Sequence, residues 1–166
     1  MNTQVPGQPN RGKAIGAGIL VAVLAIAGGL VHKHEPDRRH PNLGYWDKIG
    51  HVATACEGHT GGVIVGHIYT DAQCAEWKRQ DLMRAVNTVN RCIHVELTAP
   101  QGGGLVDGVY NLGAALVCGS KLQREINSGV PPIIWCQQLK RWNHGNGLVI
   151  RSLTNRRYDD LQECIK

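Results

Sequence analysis

One uninterrupted apolar segment limits what this chain can fold into. Residues 14–31, AIGAGILVAVLAIAGGLV, contain no charged side chain. A helix of this length is about 27 Å long, slightly shorter than the hydrocarbon core of a bilayer, which is about 30 Å thick. Arg11 and Lys13 precede the segment, whereas Glu35 and Asp37 dilute the basic charge that follows it. The pattern predicts one membrane-directed helix with a cytoplasmic N-terminus and an exported C-terminal part.

The residues of this segment are consistent with three fates. Ala25-Ile26-Ala27 fits the small-x-small rule of a cleaved signal peptide. The segment could instead be a permanent anchor, or a weak anchor that later leaves the bilayer. Four glycines and five alanines fill half of it, which makes it marginal in both length and hydrophobicity.

The overall composition is that of one folded domain. The chain has 166 residues, 42% apolar and 19% charged, and its mean hydropathy of −0.23 excludes a multi-span membrane protein. The net charge of +5 favours an anionic partner such as nucleic acid, lipid headgroups or cell-wall polymer. Because no basic motif accompanies that charge, we expect no nucleic-acid partner.

The cysteines indicate an oxidising compartment. Six of them are dispersed over the chain after residue 55, and no CxxC pair occurs: Cys56, Cys74, Cys92, Cys118, Cys136 and Cys164. This pattern argues against a zinc ribbon and favours up to three disulfides, the alternative being six buried thiols in a cytosolic protein. Pairing neighbouring elements gives Cys56–Cys74 and Cys118–Cys136, which leaves Cys92–Cys164. The histidine spacings fit no zinc pattern, so we expect no metal site and no cofactor.

A small sheet followed by a series of helices predicts an α+β fold. Residues 51–56 and 63–69 have the pattern of two strands around a glycine-rich turn. Capping boxes or prolines start the predicted helices 70–91, 98–117, 120–127 and 131–142, a loop covers 144–147, and a last helix covers 154–164. Gly102-Gly103-Gly104 lies inside one predicted helix, where each glycine costs about 1 kcal/mol against alanine. Either that helix starts later or close packing requires glycine there.

A series of short motifs resembles the bacteriophage lysozymes of glycoside hydrolase family 24. The motifs are YWDKIG at 45–50, TACEGHTG at 54–61, YTDAQC at 69–74, LVDGVYNLG at 105–113, RWN at 141–143 and NRR at 155–157. The resemblance covers about residues 35–164 and implies a lysozyme-like fold with a small β-sheet lobe and a helical lobe. The apolar segment resembles the signal-anchor-release segment of endolysins in this family, which favours the releasable anchor. The implied organisation is a cytoplasmic tail at 1–13, an anchor at 14–31 and a lysozyme domain at 32–166.

The resemblance also implies a catalytic set of Glu35, Asp47 and Thr54. Glu35 is the only glutamate between the anchor and Asp47, although the spacing of the three residues is longer than is usual in the family. In glycoside hydrolysis a protonated glutamate donates to the leaving oxygen, and a carboxylate activates water or stabilises the transition state. The threonine hydroxyl can hold that water. Asp37 and Glu57 are the alternative acids.

The activity implied is hydrolysis of the β-1,4 bond between N-acetylmuramic acid and N-acetylglucosamine in peptidoglycan. We expect a monomer that faces the periplasm from the host inner membrane and becomes soluble after release. The alternative is a tethered lysozyme-like protein that binds peptidoglycan without cutting it. His59, Arg156 and Arg157 are candidate substrate contacts. The structural alternatives are that His59 supports its turn and that the two arginines lie on a solvated helix face.

Overall fold

The computed structural model describes residues 13–34, 40 and 42–166. Its helices are α1 (Ala17–His34), α2 (Asp71–Cys92), α3 (Ala99–Leu112), α4 (Lys121–Asn127), α5 (Pro132–Trp135) and α6 (Arg151–Cys164). Its strands are β1 (Tyr45–Asp47), β2 (Val52–Thr54), β3 (His144–Gly145) and β4 (Leu148–Val149), with 3₁₀ turns at Ala114–Leu116 and Cys136–Arg141. Apart from Lys13, the predicted tail lies outside the described residues. The α+β architecture is as expected.

The small β lobe is a hairpin of β1 and β2, and it differs from the predicted sheet. Tyr45 is paired with Thr54 and Asp47 with Val52. Residues 63–69 do not form the predicted return strand; they form a loop joined to the start of the lobe by an isolated bridge between Leu43 and Ile68. Glycines at positive φ within 62–66 turn the backbone out of the extended conformation that a strand needs.

The helix starts follow the local sequence signals. Thr70 accepts a hydrogen bond from the backbone of Gln73, and Thr98 forms a full capping box with Gln101. The helix predicted at 131–142 is wrong in type, because α5 ends at Trp135 and a 3₁₀ turn follows it. The predicted loop at 144–147 is the turn of the β3–β4 hairpin.

The three consecutive glycines lie inside α3 because other helices pack directly against them. A β-carbon on Gly102 would lie 2.8 Å from Cγ2 of Val23, and one on Gly103 would overlap Ile26. Both glycines therefore pack directly against α1. Gly104 faces α6 in the same way, with the carbonyl oxygen of Asp160 at 2.8 Å from the added atom. Close packing, and not a later helix start, explains the glycines.

All six cysteines are paired, but only one predicted pairing is correct. Cys56–Cys74 joins the β lobe to α2 as expected. The predicted pairs Cys118–Cys136 and Cys92–Cys164 are wrong, and the observed pairs are Cys92–Cys118 and Cys136–Cys164. The reason is tertiary: the turn after α3 returns to the end of α2, and α6 packs against the 3₁₀ turn that begins at Cys136.

Candidate active site

Asp47 and Thr54 lie on the same face of the β1–β2 hairpin. In the antiparallel register Asp47 is opposite Val52, and Thr54 is two residues further along β2. Such diagonal neighbours have α-carbons roughly 7–8 Å apart. The Asp47 carboxylate is half-buried and accepts a hydrogen bond from the backbone N–H of Ile49 at 2.8 Å. Thr54 is only 3% exposed, and its hydroxyl lies 3.3 Å from the carbonyl oxygen of Val52.

Glu35 and the alternative acid Asp37 lie outside the described residues. The structure does place the residue before Glu35, because α1 ends at His34. The end of α1 contacts both lobes: His32 is hydrogen-bonded to Glu57 beyond β2, and His34 to Asp159 on α6. The chain therefore leaves α1 between the β lobe and the last helix.

Glu57, the second alternative acid, is an ionised structural carboxylate. It lies in a left-handed backbone conformation, with Oε1 at 2.6 Å from Nδ1 of His32 and Oε2 at 2.5 Å from Nζ of Lys78. The hydroxyl of Tyr110 donates to its carbonyl oxygen at 2.8 Å. Burial alone would raise the pKa of Glu57, but the hydrogen bonds from His32 and Lys78 lower it below the ordinary value. A carboxylate held in this way is a poor proton donor.

His59 supports its turn, as the structural alternative stated. The ring is buried and stacks on Trp77 with ring centroids 4.1 Å apart. Nδ1 lies 2.7 Å from Oδ2 of Asp81, and Nε2 lies 2.8 Å from the carbonyl oxygen of Gly61. Both ring nitrogens are thus engaged, one by Asp81 of α2 and one by Gly61 of the turn, and a substrate contact through either of them would require one of these bonds to break.

Arg156 and Arg157 are not on a solvated helix face. Arg156 forms a two-pronged contact with Asp107 of α3, at 2.9 Å from Nε and 2.6 Å from Nη2. Arg157 is 0% exposed and contacts Asp160 at 2.9 Å. The solvated-face alternative is therefore wrong, and Arg157 has no surface through which to contact a ligand.

The two aspartates of this buried cluster have opposite pKa shifts. Burial and the charge of Asp107 raise the pKa of Asp160 well above its ordinary value. Burial also acts to raise the pKa of Asp107, but the hydrogen bonds and charge of Arg156 outweigh it and lower that pKa. Asp107 is therefore the anion that holds α6 on α3. Its sequence signal is a lone carboxylate in the apolar run LVDGVY.

A cavity of about 220 Å³ lies between the turn after β2, α2 and α3. Its lining includes Thr60, Asp81, Arg84, Thr88 and Tyr110. The carboxylate of Asp81 contacts His59 through Oδ2 and Arg84 through Oδ1, so the two charged groups of this lining are paired with each other. Sequence analysis missed these residues, because they come from distant segments and form no local motif. Among the described residues, no group of three or more metal-ligating side chains could hold a metal ion.

Comparisons with known proteins agree on one family and one fold. The family model for phage lysozyme matches residues 42–160. The SAR-endolysin of Enterobacteria phage PA-2 is 32% identical over 95% of this chain and 96% of its own, and the SAR-endolysin of Enterobacteria phage P21 is 31% identical with the same coverage.

Two solved structures show the lysozyme-like fold. The active form of the P1 phage endolysin Lyz superposes with a TM-score of 0.70 at 21% identity, covering 93% of this chain and 96% of that one. The muramidase domain of SpmX from Asticaccaulis excentricus gives a TM-score of 0.72 at 24% identity, covering 94% of this chain and 99% of that one.

Proposed function

The chain belongs to the phage lysozyme family and is a lysis-related, peptidoglycan-degrading protein, and from this premise we propose which bond it cuts and with which residues. It hydrolyses the β-1,4 bond between N-acetylmuramic acid and N-acetylglucosamine, with Glu35 as general acid, Asp47 as its charged partner and Thr54 as a water-holding hydroxyl. The observation that carries the proposal is the shared face of Asp47 and Thr54 on the β lobe. The end of α1 is hydrogen-bonded nearby, to Glu57 in the turn that follows β2.

The reaction needs one proton donor and one activated water. Glu35 donates its proton to the glycosidic oxygen as the bond from that oxygen to the sugar carbon breaks. Asp47 takes a proton from a water that attacks the same carbon from the opposite face, which inverts its configuration. Thr54 accepts a hydrogen bond from that water. An inverting pair requires the two carboxyl groups to stand roughly 6.5–9.5 Å apart.

We further propose that residues 14–31 are a releasable membrane anchor. Over the described part of the chain, Ala17–His34 is the one helix long and apolar enough to cross a membrane, with a mean hydropathy of 1.6. The same helix is docked on α3, where Val23, Ala27 and Val31 are buried. One helix therefore has two environments that suit it, a bilayer and the glycine-lined surface of α3.

The composition of α1 supports this exchange. The exposed side of the docked helix consists mostly of small residues: Ala17, Gly18, Ala22, Ala25 and Gly29. Val21, at 79% exposure, is the one large apolar residue on that side. Glycine and alanine expose little apolar area to water and contribute less to membrane insertion than leucine does. The helix can therefore leave the bilayer at a low cost in free energy.

The anchored form is inactive in this account. Glu35 follows Val31 by four residues, about 6 Å along a helix, so it stays in the headgroup zone while the segment spans the bilayer. The α3 surface around Gly102 and Gly103 then lacks its helix, and Glu35 is not delivered to the β lobe. Release and docking of α1 complete the site.

The test of the cleavage chemistry is digestion of purified peptidoglycan by the soluble full-length protein. The proposal predicts falling turbidity and fragments that end in reducing N-acetylmuramic acid, with Glu35→Gln folded and inactive. Binding to peptidoglycan without fragments would favour the non-cutting alternative, and reducing N-acetylglucosamine ends would place the cut at the other bond.

A further inference from the structure

The last turn of α1 is held by polar side-chain contacts that the rest of the helix lacks. Nε2 of His34 lies 2.7 Å and Nζ of Lys33 lies 2.8 Å from Oδ2 of Asp159 on α6. Nδ1 of His32 lies 2.6 Å from Oε1 of Glu57, whose other oxygen contacts Lys78 of α2. Upstream, α1 is entirely apolar from Ala17 to Val31.

These contacts hold the helix from two sides. Side chains two positions apart on an α-helix point about 200° apart around its axis. His32 therefore faces the β lobe, whereas His34 faces α6. Apolar packing is non-directional and leaves a helix some freedom to rotate or slide. Two polar contacts on opposite sides of one turn remove that freedom where the chain leaves the helix.

We propose that Asp159 and Glu57 are positioning residues: they bind the last turn of α1 and fix the end of the helix that precedes Glu35. This rests on the proposed role of Glu35 as proton donor. Asp159 has the larger effect, because the His34 side chain is mostly buried, whereas the His32 side chain is 73% exposed and its pairing is screened by water.

Variants of the receiving residues test this without altering the membrane segment. Asp159→Ala should lower kcat about 10- to 100-fold, the range expected for a displaced catalytic group, and should leave KM within about twofold. Glu57→Gln should lower kcat by a smaller factor. The matched control is Glu163→Ala, which removes another carboxylate of α6, one paired with Lys166 and not with α1.

Rescue by shape distinguishes positioning from loss of fold. In His34→Gln the side-chain amide nitrogen can replace Nε2 as the hydrogen-bond donor, and in His32→Asn it can replace Nδ1. His34→Gln should therefore retain most of kcat, and His34→Ala should lose more than His34→Gln but no more than Asp159→Ala, which also removes the Lys33 contact. Hydrogen exchange at the amides of residues 31–34 should be faster in Asp159→Ala than in Glu163→Ala.

The outcomes separate this proposal from the cleavage mechanism. Equal kcat for Asp159→Ala and Glu163→Ala would overturn the positioning role, as would a change in KM alone. If the wild-type protein cuts no peptidoglycan, the cleavage mechanism fails. The exchange measurement then still decides whether Asp159 holds the last turn of α1, because unchanged protection would overturn that contact.

Discussion

Gly103 of α3 lies so close to Ile26 of α1 that a β-carbon on the glycine would overlap the isoleucine side chain. The contact joins the candidate membrane helix to the body of the enzyme. Ile26 belongs to the apolar segment that we propose lies in the bilayer in the anchored form. The glycines of α3 thus allow close packing of a helix that, in our proposal, docks only after its release from the membrane.

Gly103→Val should therefore block docking of α1 without preventing its release. Overpacking of this kind typically costs about 1–3 kcal/mol. We expect soluble protein with a lowered Tm and strongly reduced activity on peptidoglycan. Gly29→Ala is the control, because a β-carbon there meets nothing within 4 Å. A fully active Gly103→Val protein would show that docking at this glycine is not needed.

Asp47→Asn should abolish most activity, because the amide keeps the size of the side chain but cannot accept the proton of the attacking water. Thr54→Ala should reduce activity less, and Thr54→Ser should restore part of it by keeping the hydroxyl. Turbidity assays at matched protein concentration measure all three. Equal losses for Thr54→Ala and Thr54→Ser would argue that the threonine acts through its methyl group in packing.

The buried aspartates should respond differently to neutral replacement. Asp107→Asn removes the anion paired with Arg156, and breaking a buried pair in this way typically costs about 3–5 kcal/mol. Asp160→Asn should be tolerated better than Asp107→Asn, because burial and the charge of Asp107 raise the pKa of Asp160 and so work against its charged form. Urea unfolding of both variants at neutral pH is the measurement, and equal destabilisation would contradict the assignment.

The raised pKa of Asp160 also has a pH signature. A carboxyl whose pKa is raised in the folded state binds its proton more tightly there than in the unfolded chain. The free energy of unfolding therefore falls as pH rises from the unfolded pKa, here 3.8, to the folded pKa. Asp160→Asn removes that contribution, so its free energy of unfolding should decline less than that of the wild type as pH rises above about 4. Unfolding curves between pH 4 and 8 test the sign.

Each disulfide should contribute about 2–4 kcal/mol on a loop-entropy estimate. Non-reducing peptide mapping of exported protein should find Cys92 linked to Cys118 and Cys136 linked to Cys164. Replacing Cys92 and Cys118 together by alanine should lower the Tm without creating free thiols. Fragments that join Cys118 to Cys136 would contradict the observed pairing.

Local signals in the sequence predicted most of the elements, and tertiary contacts decided the rest. Helix starts at Thr70 and Thr98 were predictable because a cap needs only residues three positions apart. The disulfide partners of Cys92 and Cys136 depend on how α3 and α6 return to earlier elements, which no local pattern records.

The candidate site divides in the same way. The sequence motifs single out Asp47 and Thr54, but the predicted strands 51–56 and 63–69 do not include Asp47, whereas the structure pairs the strands that carry the two residues. The pairing of Glu57 with His32 could not be foreseen. Glu57 lies in a left-handed turn, and its side-chain partners His32 and Lys78 come from two separate helices. The burial of Arg157 was missed because a charged pair on the last helix has the composition of a solvated face.

Activation should depend on how strongly residues 14–31 insert into the membrane. Replacing Gly16, Gly18, Gly28 and Gly29 by leucine should deepen membrane insertion by roughly 1–2 kcal/mol, since each leucine contributes about −0.3 to −0.6 kcal/mol. The four-leucine variant should remain in the membrane fraction after the membrane potential is collapsed, and it should not lyse the cells. Lysis by this variant at the wild-type rate would show that release is not required.

The most direct test of the account is the mass of the soluble, active wild-type protein recovered after the membrane potential is collapsed. If α1 is an anchor that leaves the bilayer and docks on α3, the protein moves from the membrane to the soluble fraction at full length and gains activity as it does so. If the soluble active protein instead begins at Gly28, the segment is a cleaved signal peptide, α1 cannot be the helix that completes the site, and the release account is wrong.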